Sequence, residues 1–263
     1  MEENKKFKLV SSKKTRYLLP NIITLAGVCL GISSIKFSID GNFSLAVTLI
    51  LLAAILDALD GRVARLIKGT SEFGKELDSL TDFVSFGIAP VFVLYFWELN
   101  NYGKLGWAIT LIYSVCCVLR LARFNLTKIE ESQDWKNNFF EGIPSPAGGL
   151  LILMPLIYEL TNLDIGINIK NFTPYFTVLI AILLVSKTPT LALKKISISP
   201  KATVFILLGI GIVFIALLFY TLKTLLVFGI IYLISIPISI FVYNKQTKKN
   251  NEKISDDNHE DIL

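Results

Sequence analysis

Histidine is nearly absent from this 263-residue chain: His259, within the last five residues, is the only one. A histidine base or a histidine metal site inside the body of the protein is therefore excluded. Cysteine is scarce and odd in number. Cys29, Cys116 and Cys117 all lie in apolar runs, so no disulfide framework is implied. Charge is also thin, at 18% against about 25% in an ordinary globular domain. With 53% hydrophobic residues and a mean hydropathy of +0.60, the composition argues against a soluble domain and against a disordered chain. Sixteen glycines and nine prolines are too few for a collagen-like fibre.

What is abundant is apolar sequence in long runs, at 20–39, 43–66, 78–98, 105–125, 146–160, 172–189, 202–220 and 222–243. Most approach the length needed to cross about 30 Å of hydrocarbon. They are too long and too continuously apolar for barrel strands, so they read as helices. The fifth run is short and contains Pro155. The first follows a basic start, as a signal peptide does. It is too long for a signal core and seven runs follow, so it reads as a retained helix. The sequence thus predicts an all-α, polytopic integral membrane bundle of about eight transmembrane helices. Residues 1–16 form a basic cytoplasmic segment, 17–243 the membrane domain, and 244–263 a polar cytoplasmic tail expected to be disordered.

Lysine and arginine set the orientation. With both termini in the cytoplasm, six fall in the N-terminal segment. Four fall in each of the other cytoplasmic segments, which contain Lys75, Arg120, Lys194 and Lys245 respectively. Only Lys36, Lys104, Lys170 and Lys223 of the 26 remain outside. That asymmetry is the positive-inside pattern. The net charge of +5 belongs to a face that meets anionic headgroups, and no nucleic acid is needed to explain it.

Four aspartates interrupt two consecutive runs: Asp57 and Asp60 in the second, Asp78 and Asp82 in the third. An ionisable group at the centre of a spanning helix costs about 2.5–3.5 kcal/mol on insertion scales, so it points to function. At about 100° per residue, Asp57, Asp60, Gly61 and Ala64 share a face with Arg65 at its edge, and Asp78 and Asp82 share another. The two helices form a hairpin closing on the cytoplasmic side, so the acidic faces can meet there. Oxygen-only ligands suit hard cations such as Mg²⁺, Mn²⁺ or Ca²⁺. Two ions would neutralise the cluster and leave positions for phosphate oxygens, with Arg65 placed to meet phosphate. The competing reading pairs Asp57 and Asp60 with Arg62 and Arg65 in salt bridges.

The same residues spell Asp57-x2-Asp60-Gly61-x2-Ala64-Arg65-x8-Gly74-x3-Asp78-x3-Asp82. This resembles the signature of the CDP-alcohol phosphotransferase family at every fixed position, a match expected by chance on the order of 10⁻¹⁰ per starting position. The resemblance implies a membrane enzyme that transfers a phosphatidyl-type group from a CDP-linked lipid to an alcohol and releases CMP. It implies two divalent ions, Mg²⁺ or Mn²⁺. Asp57, Asp60 and Asp78 are then metal ligands, and Asp82 is both a ligand of the second ion and the catalytic base. Asp60, Gly61, Ala64, Arg65 and Gly74 belong to the CDP and diphosphate site. Pro20-Asn21-x2-Thr24 resembles the family's first-helix entry, which places Asn21 and Thr24 at the nucleotide. For Asn21 a plain helix-cap role is the alternative. Homodimers are common in the family, so the resemblance makes a homodimer the oligomer to test.

Three further stretches are similar to the branch of that family whose acceptor is L-serine and whose donor is CDP-diacylglycerol or an ether-lipid equivalent. They are Asp78-Ser-Leu-Thr-Asp82-Phe-Val-Ser-Phe-Gly-Ile-Ala-Pro90, then Arg120-Leu-Ala-Arg123-Phe124-Asn125 with Gly142-Ile-Pro144-Ser145-Pro146-Ala, then Val185-Ser186-Lys187-Thr188-Pro189 with Lys194-Lys195. A serine acceptor carries a carboxylate, and an arginine fork holds a carboxylate at two points. Arg120 or Arg123, with Asn125 nearby, is therefore the candidate acceptor site, against a bland reading as headgroup anchors. Another acceptor, glycerol 3-phosphate or an inositol phosphate, is the alternative within the same chemistry. An ion-coupled transporter is the alternative outside it, though inverted repeats and midplane helix breaks are not evident. The expected location is the cell membrane, with the active site facing the cytoplasm.

Overall fold

The computed structural model describes residues 13–260 except 68, 70, 128–138, 164–165, 167 and 192–199. The first twelve residues, Lys68, Lys128, Lys136, Lys194 and Lys195 of the basic segments lie outside the described residues. Helix α1 spans Lys13–Ile39 and α2 spans Phe43–Leu66. The third crossing is composite: α3 (Glu72–Asp82), a π-helical turn (Phe83–Ile88) and α4 (Ala89–Trp97). Helix α5 spans Lys104–Thr127. The fifth run folds as two short helices, α6 (Ser145–Ile152) and α7 (Met154–Leu160). Helices α8 (Thr173–Val185), α9 (Pro200–Phe219) and α10 (Thr221–Glu260) complete the all-α bundle.

Among the described residues, five helices are long and apolar enough to cross a membrane: Leu18–Ile39, Phe43–Leu66, Glu72–Trp97, Lys104–Leu126 and Thr221–Lys245. The protein is multi-pass on that ground. The fifth run falls short because the chain turns at Leu153, just before Pro155, whose ring nitrogen cannot donate to a continuing helix. Two other expectations change. Helix α1 begins at Lys13, so Asn21 lies inside a helix and is not its cap. Helix α10 runs on to Glu260 through the expected disordered tail, where no glycine or proline follows Pro237 to break it.

Small residues let the helices that carry the site approach closely, as is common where lipid supplies no hydrophobic drive between helices. A Cβ on Gly31 would sit 3.0 Å from the Ser85 Cα, so α1 touches the π turn backbone to backbone. The π turn itself follows from sequence. In a regular α-helix the Phe86 carbonyl would accept from residue 90, which is a proline without an N–H. Here the Ala89 N–H returns five residues to the Val84 carbonyl, and the Tyr113 hydroxyl donates to the Phe86 carbonyl at 3.0 Å. Beside the bundle a short antiparallel pair joins β1 (Phe139–Glu141) to β2 (Pro189–Leu191), with Phe140 opposite Thr190. It pins the segment after α5 to the segment after α8.

Candidate active site

The α2–α3 hairpin is closed by its own backbone chemistry. The Gly69 N–H returns to the Ala64 carbonyl at 2.8 Å, ending α2. Ser71 caps α3, its hydroxyl accepting from the Gly74 N–H at 3.0 Å. Gly74 has no side chain because none fits easily. A Cβ there would meet the Ser71 Oγ at 3.1 Å and the Asn21 Oδ1 at 3.3 Å, where α1 closes on the start of α3.

This hairpin brings the acidic faces together. Asp57, Asp60 and Asp78 each present a carboxylate oxygen, all within 4.8 Å of one another. Asp60 is only 4% exposed and accepts a hydrogen bond from the Thr24 hydroxyl at 2.6 Å. One turn deeper, Asp82 contacts Asp57 side chain to side chain, and the charges of Asp78 and Arg120 act on it. Its Oδ1 is buried without a hydrogen-bond partner among the described residues. A buried carboxylate oxygen left unpaired is costly unless a cation takes it. Converging oxygen donors with an orphaned one beside them fit a hard divalent cation. No ion pair joins Asp57 or Asp60 to Arg62 or Arg65 among the described residues, so the salt-bridge reading is not what the hairpin forms.

Beside the carboxylates lies a cavity of about 350 Å³. Every residue that the sequence assigns to the CDP site lines it: Asn21, Thr24, Asp60, Gly61, Ala64, Arg65 and Gly74. Arg65 is exposed, and a Cβ on Gly61 would meet no atom within 4 Å, so that position is kept open rather than packed. The lining also includes Ser71 and Lys75, which the sequence reading did not single out. Ser71 was legible as a serine preceding Glu72 at a helix start. Lys75, exposed and paired with Glu72 at 2.7 Å, gave no signal beyond its charge.

The candidate acceptor residues separate. Arg120 is buried, its Nε–H donating to the Ile143 carbonyl and its Nη1–H to the Ser145 hydroxyl at 2.5 Å. Arg123 donates to the Val185 and Ser186 carbonyls at the end of α8. Asn125 ties α5 to α3, its Nδ2–H reaching the Ser79 hydroxyl at 3.0 Å. Of the three, Arg120 is the one whose charge acts on Asp82.

Comparison with known proteins agrees with this geometry. The CDP-alcohol phosphatidyltransferase family matches residues 17–244. The chain is similar to a CDP-diacylglycerol–serine O-phosphatidyltransferase of Mycobacterium tuberculosis, 34% identical over 85% of this chain and 78% of the relative. It is also similar to proteins of the same name from Helicobacter pylori, 35% identical over 83% of this chain and 89% of the relative, and from Bacillus subtilis, 36% identical over 56% and 81%.

Proposed function

This chain belongs to the CDP-alcohol phosphatidyltransferase family, and from that premise we propose how its site works. The protein is a membrane transferase of phospholipid synthesis. It moves the phosphatidyl group of CDP-diacylglycerol to the hydroxyl of L-serine, giving phosphatidylserine and CMP. The observation that carries the reading is the meeting of the acidic hairpin with the cavity at one end of the bundle, where both halves of the signature sit.

The cavity residues hold the nucleotide end of the donor. Arg65 pairs with phosphate oxygens, and Gly61 leaves room for them. Two divalent cations, Mg²⁺ or Mn²⁺, held by Asp57, Asp60, Asp78 and Asp82, would neutralise the diphosphate and stabilise charge on the departing CMP. Arg120 orients the serine carboxylate, placing the hydroxyl toward Asp82. Asp82 accepts the hydroxyl proton as the oxygen attacks the lipid-side phosphorus, and the bond from that phosphorus to CMP breaks. Arg123 and Asn125 hold α8 and α3 in place around this site. The donor can equally be an ether-lipid analogue, since the residues named touch only its polar end.

The membrane arrangement we propose is eight transmembrane helices with both termini in the cytoplasm, in the cell membrane, the active site on the cytoplasmic side. The skew of basic residues supports it. A homodimer is the assembly we propose, on the family's habit. The reaction is tested with purified protein, CDP-diacylglycerol and Mn²⁺ or Mg²⁺, offering serine, glycerol 3-phosphate and an inositol phosphate in turn. Phosphatidylserine with equimolar CMP is the expected product. Product from glycerol 3-phosphate but not from serine would overturn the acceptor and leave the donor chemistry standing.

A further inference from the structure

We propose that Lys75 is a second phosphate-binding cation of the nucleotide cavity, which leaves Glu72 and, with Arg65, holds the phosphate that departs with CMP. The inference rests on the CDP-lipid reading above. It adds a residue at a position that the family signature leaves open, the first after Gly74.

Lys75 sits near the start of α3, and Gly74, Lys75 and Asp78 line the same cavity. Its ammonium lies 2.7 Å from the Glu72 carboxylate, one turn back. Of that pair only Lys75 lines the cavity. The two side chains are 59% and 89% exposed, and an ion pair so open to water holds its partners weakly. A competing anion can therefore part it. Phosphate is the stronger partner, with more charge than a carboxylate and three oxygens to accept from the ammonium.

The charges in the cavity fit that anion. Among the described residues the lining holds two acids, Asp60 and Asp78, and two cations, Arg65 and Lys75. The acids belong to the cluster suited to metal. The cations stand about one turn shallower, one on each arm of the hairpin. Arg65 comes four residues after Gly61 on α2, and Lys75 three residues before Asp78 on α3. The reacting lipid-side phosphorus belongs beside Asp82, at the deeper end of the cluster. The phosphate joined to cytidine then lies nearer the level of Arg65 and Lys75. It carries one negative charge in the donor and nearly two once CMP is free. A lysine ammonium is a point charge on a flexible stem, able to follow that gain of charge. The contact thus strengthens as the bond to CMP breaks, which stabilises the leaving group.

The test compares wild type, Lys75→Gln and Glu72→Gln as purified proteins with Mg²⁺ present, the probe being CMP. Calorimetric titration gives the affinity, and its stoichiometry gives the folded fraction separately. Lys75→Gln should bind CMP about tenfold more weakly, the size of one hydrogen bond to a charged group. Its kcat/KM for CDP-diacylglycerol should fall by a similar factor while the KM for serine stays unchanged. Glu72→Gln, which frees the ammonium, should bind CMP at least as tightly as wild type. Wild-type CMP affinity in Lys75→Gln would overturn the inference and leave the CDP-lipid reading standing. Equal losses in the two variants would also overturn it, because they mark a pair that only steadies α3. If the wild type itself does not bind CMP, the CDP-lipid reading falls and the inference with it.

Discussion

Asp60 and Asp82 illustrate how differently two carboxylates of one cluster are held. Asp60 is oriented by a hydroxyl from another helix, Thr24, at 2.6 Å. Such outer contacts to a metal ligand are typically worth about 10–100-fold in metal affinity. Thr24→Val should therefore weaken Mn²⁺ affinity by about that factor, read by titrating Mn²⁺ against CMP release. An unchanged titration would mean that the bond does not position a ligand. Asp82 instead keeps one buried oxygen unpaired. Asp82→Asn should lose turnover far more than CDP-lipid affinity, because the added role proposed for it is in the reaction step. Normal turnover in that variant would remove Asp82 as the base. The aspartates, Gly61 and Arg65 were legible in the sequence because charge is rare in apolar runs and the spacing puts them on one face of each of two consecutive helices. The grouping of Arg120 with Ser145 was not, since the two lie 25 residues apart and meet only in three dimensions.

At the scale of elements, the third crossing is where sequence and structure differ most usefully. Its apolar pattern predicts one helix, and a crossing is there, but it changes to π geometry directly after Asp82. The cause, Pro90 leaving the Phe86 carbonyl without its α-helical partner, is local and readable in retrospect. The remedy is Tyr113, from a different helix, and no local pattern announces it. Tyr113 is fully buried, so Tyr113→Phe leaves the Phe86 carbonyl without that donor and should cost about 1–3 kcal/mol. Thermal unfolding in detergent would show this as a lowered Tm. An unaltered Tm would mean that the π turn does not depend on Tyr113. The long polar end of α10 shows the opposite case. Composition there suggested disorder, yet the helix that precedes this stretch continues through it, with no glycine or proline to break it.

For the whole molecule, the cavity, the acidic cluster and Arg120 lie toward the ends of α2 and α5 and the first halves of α1 and of the third crossing, while Lys104 marks the opposite end of α5. If the basic residues orient the bundle, an impermeant thiol reagent on intact cells should label Lys104→Cys and not Lys75→Cys, in a background without Cys29, Cys116 and Cys117. The reverse labelling would invert the topology. In the proposed mechanism this acidic hairpin carries a metal-dependent transfer to serine. It is tested most directly by measuring CMP released from CDP-diacylglycerol by the purified protein, before and after EDTA, with and without serine. CMP release that requires serine, stops with EDTA and returns with added Mg²⁺ or Mn²⁺ is the predicted result. Serine-dependent CMP release that continues undiminished in EDTA would contradict it.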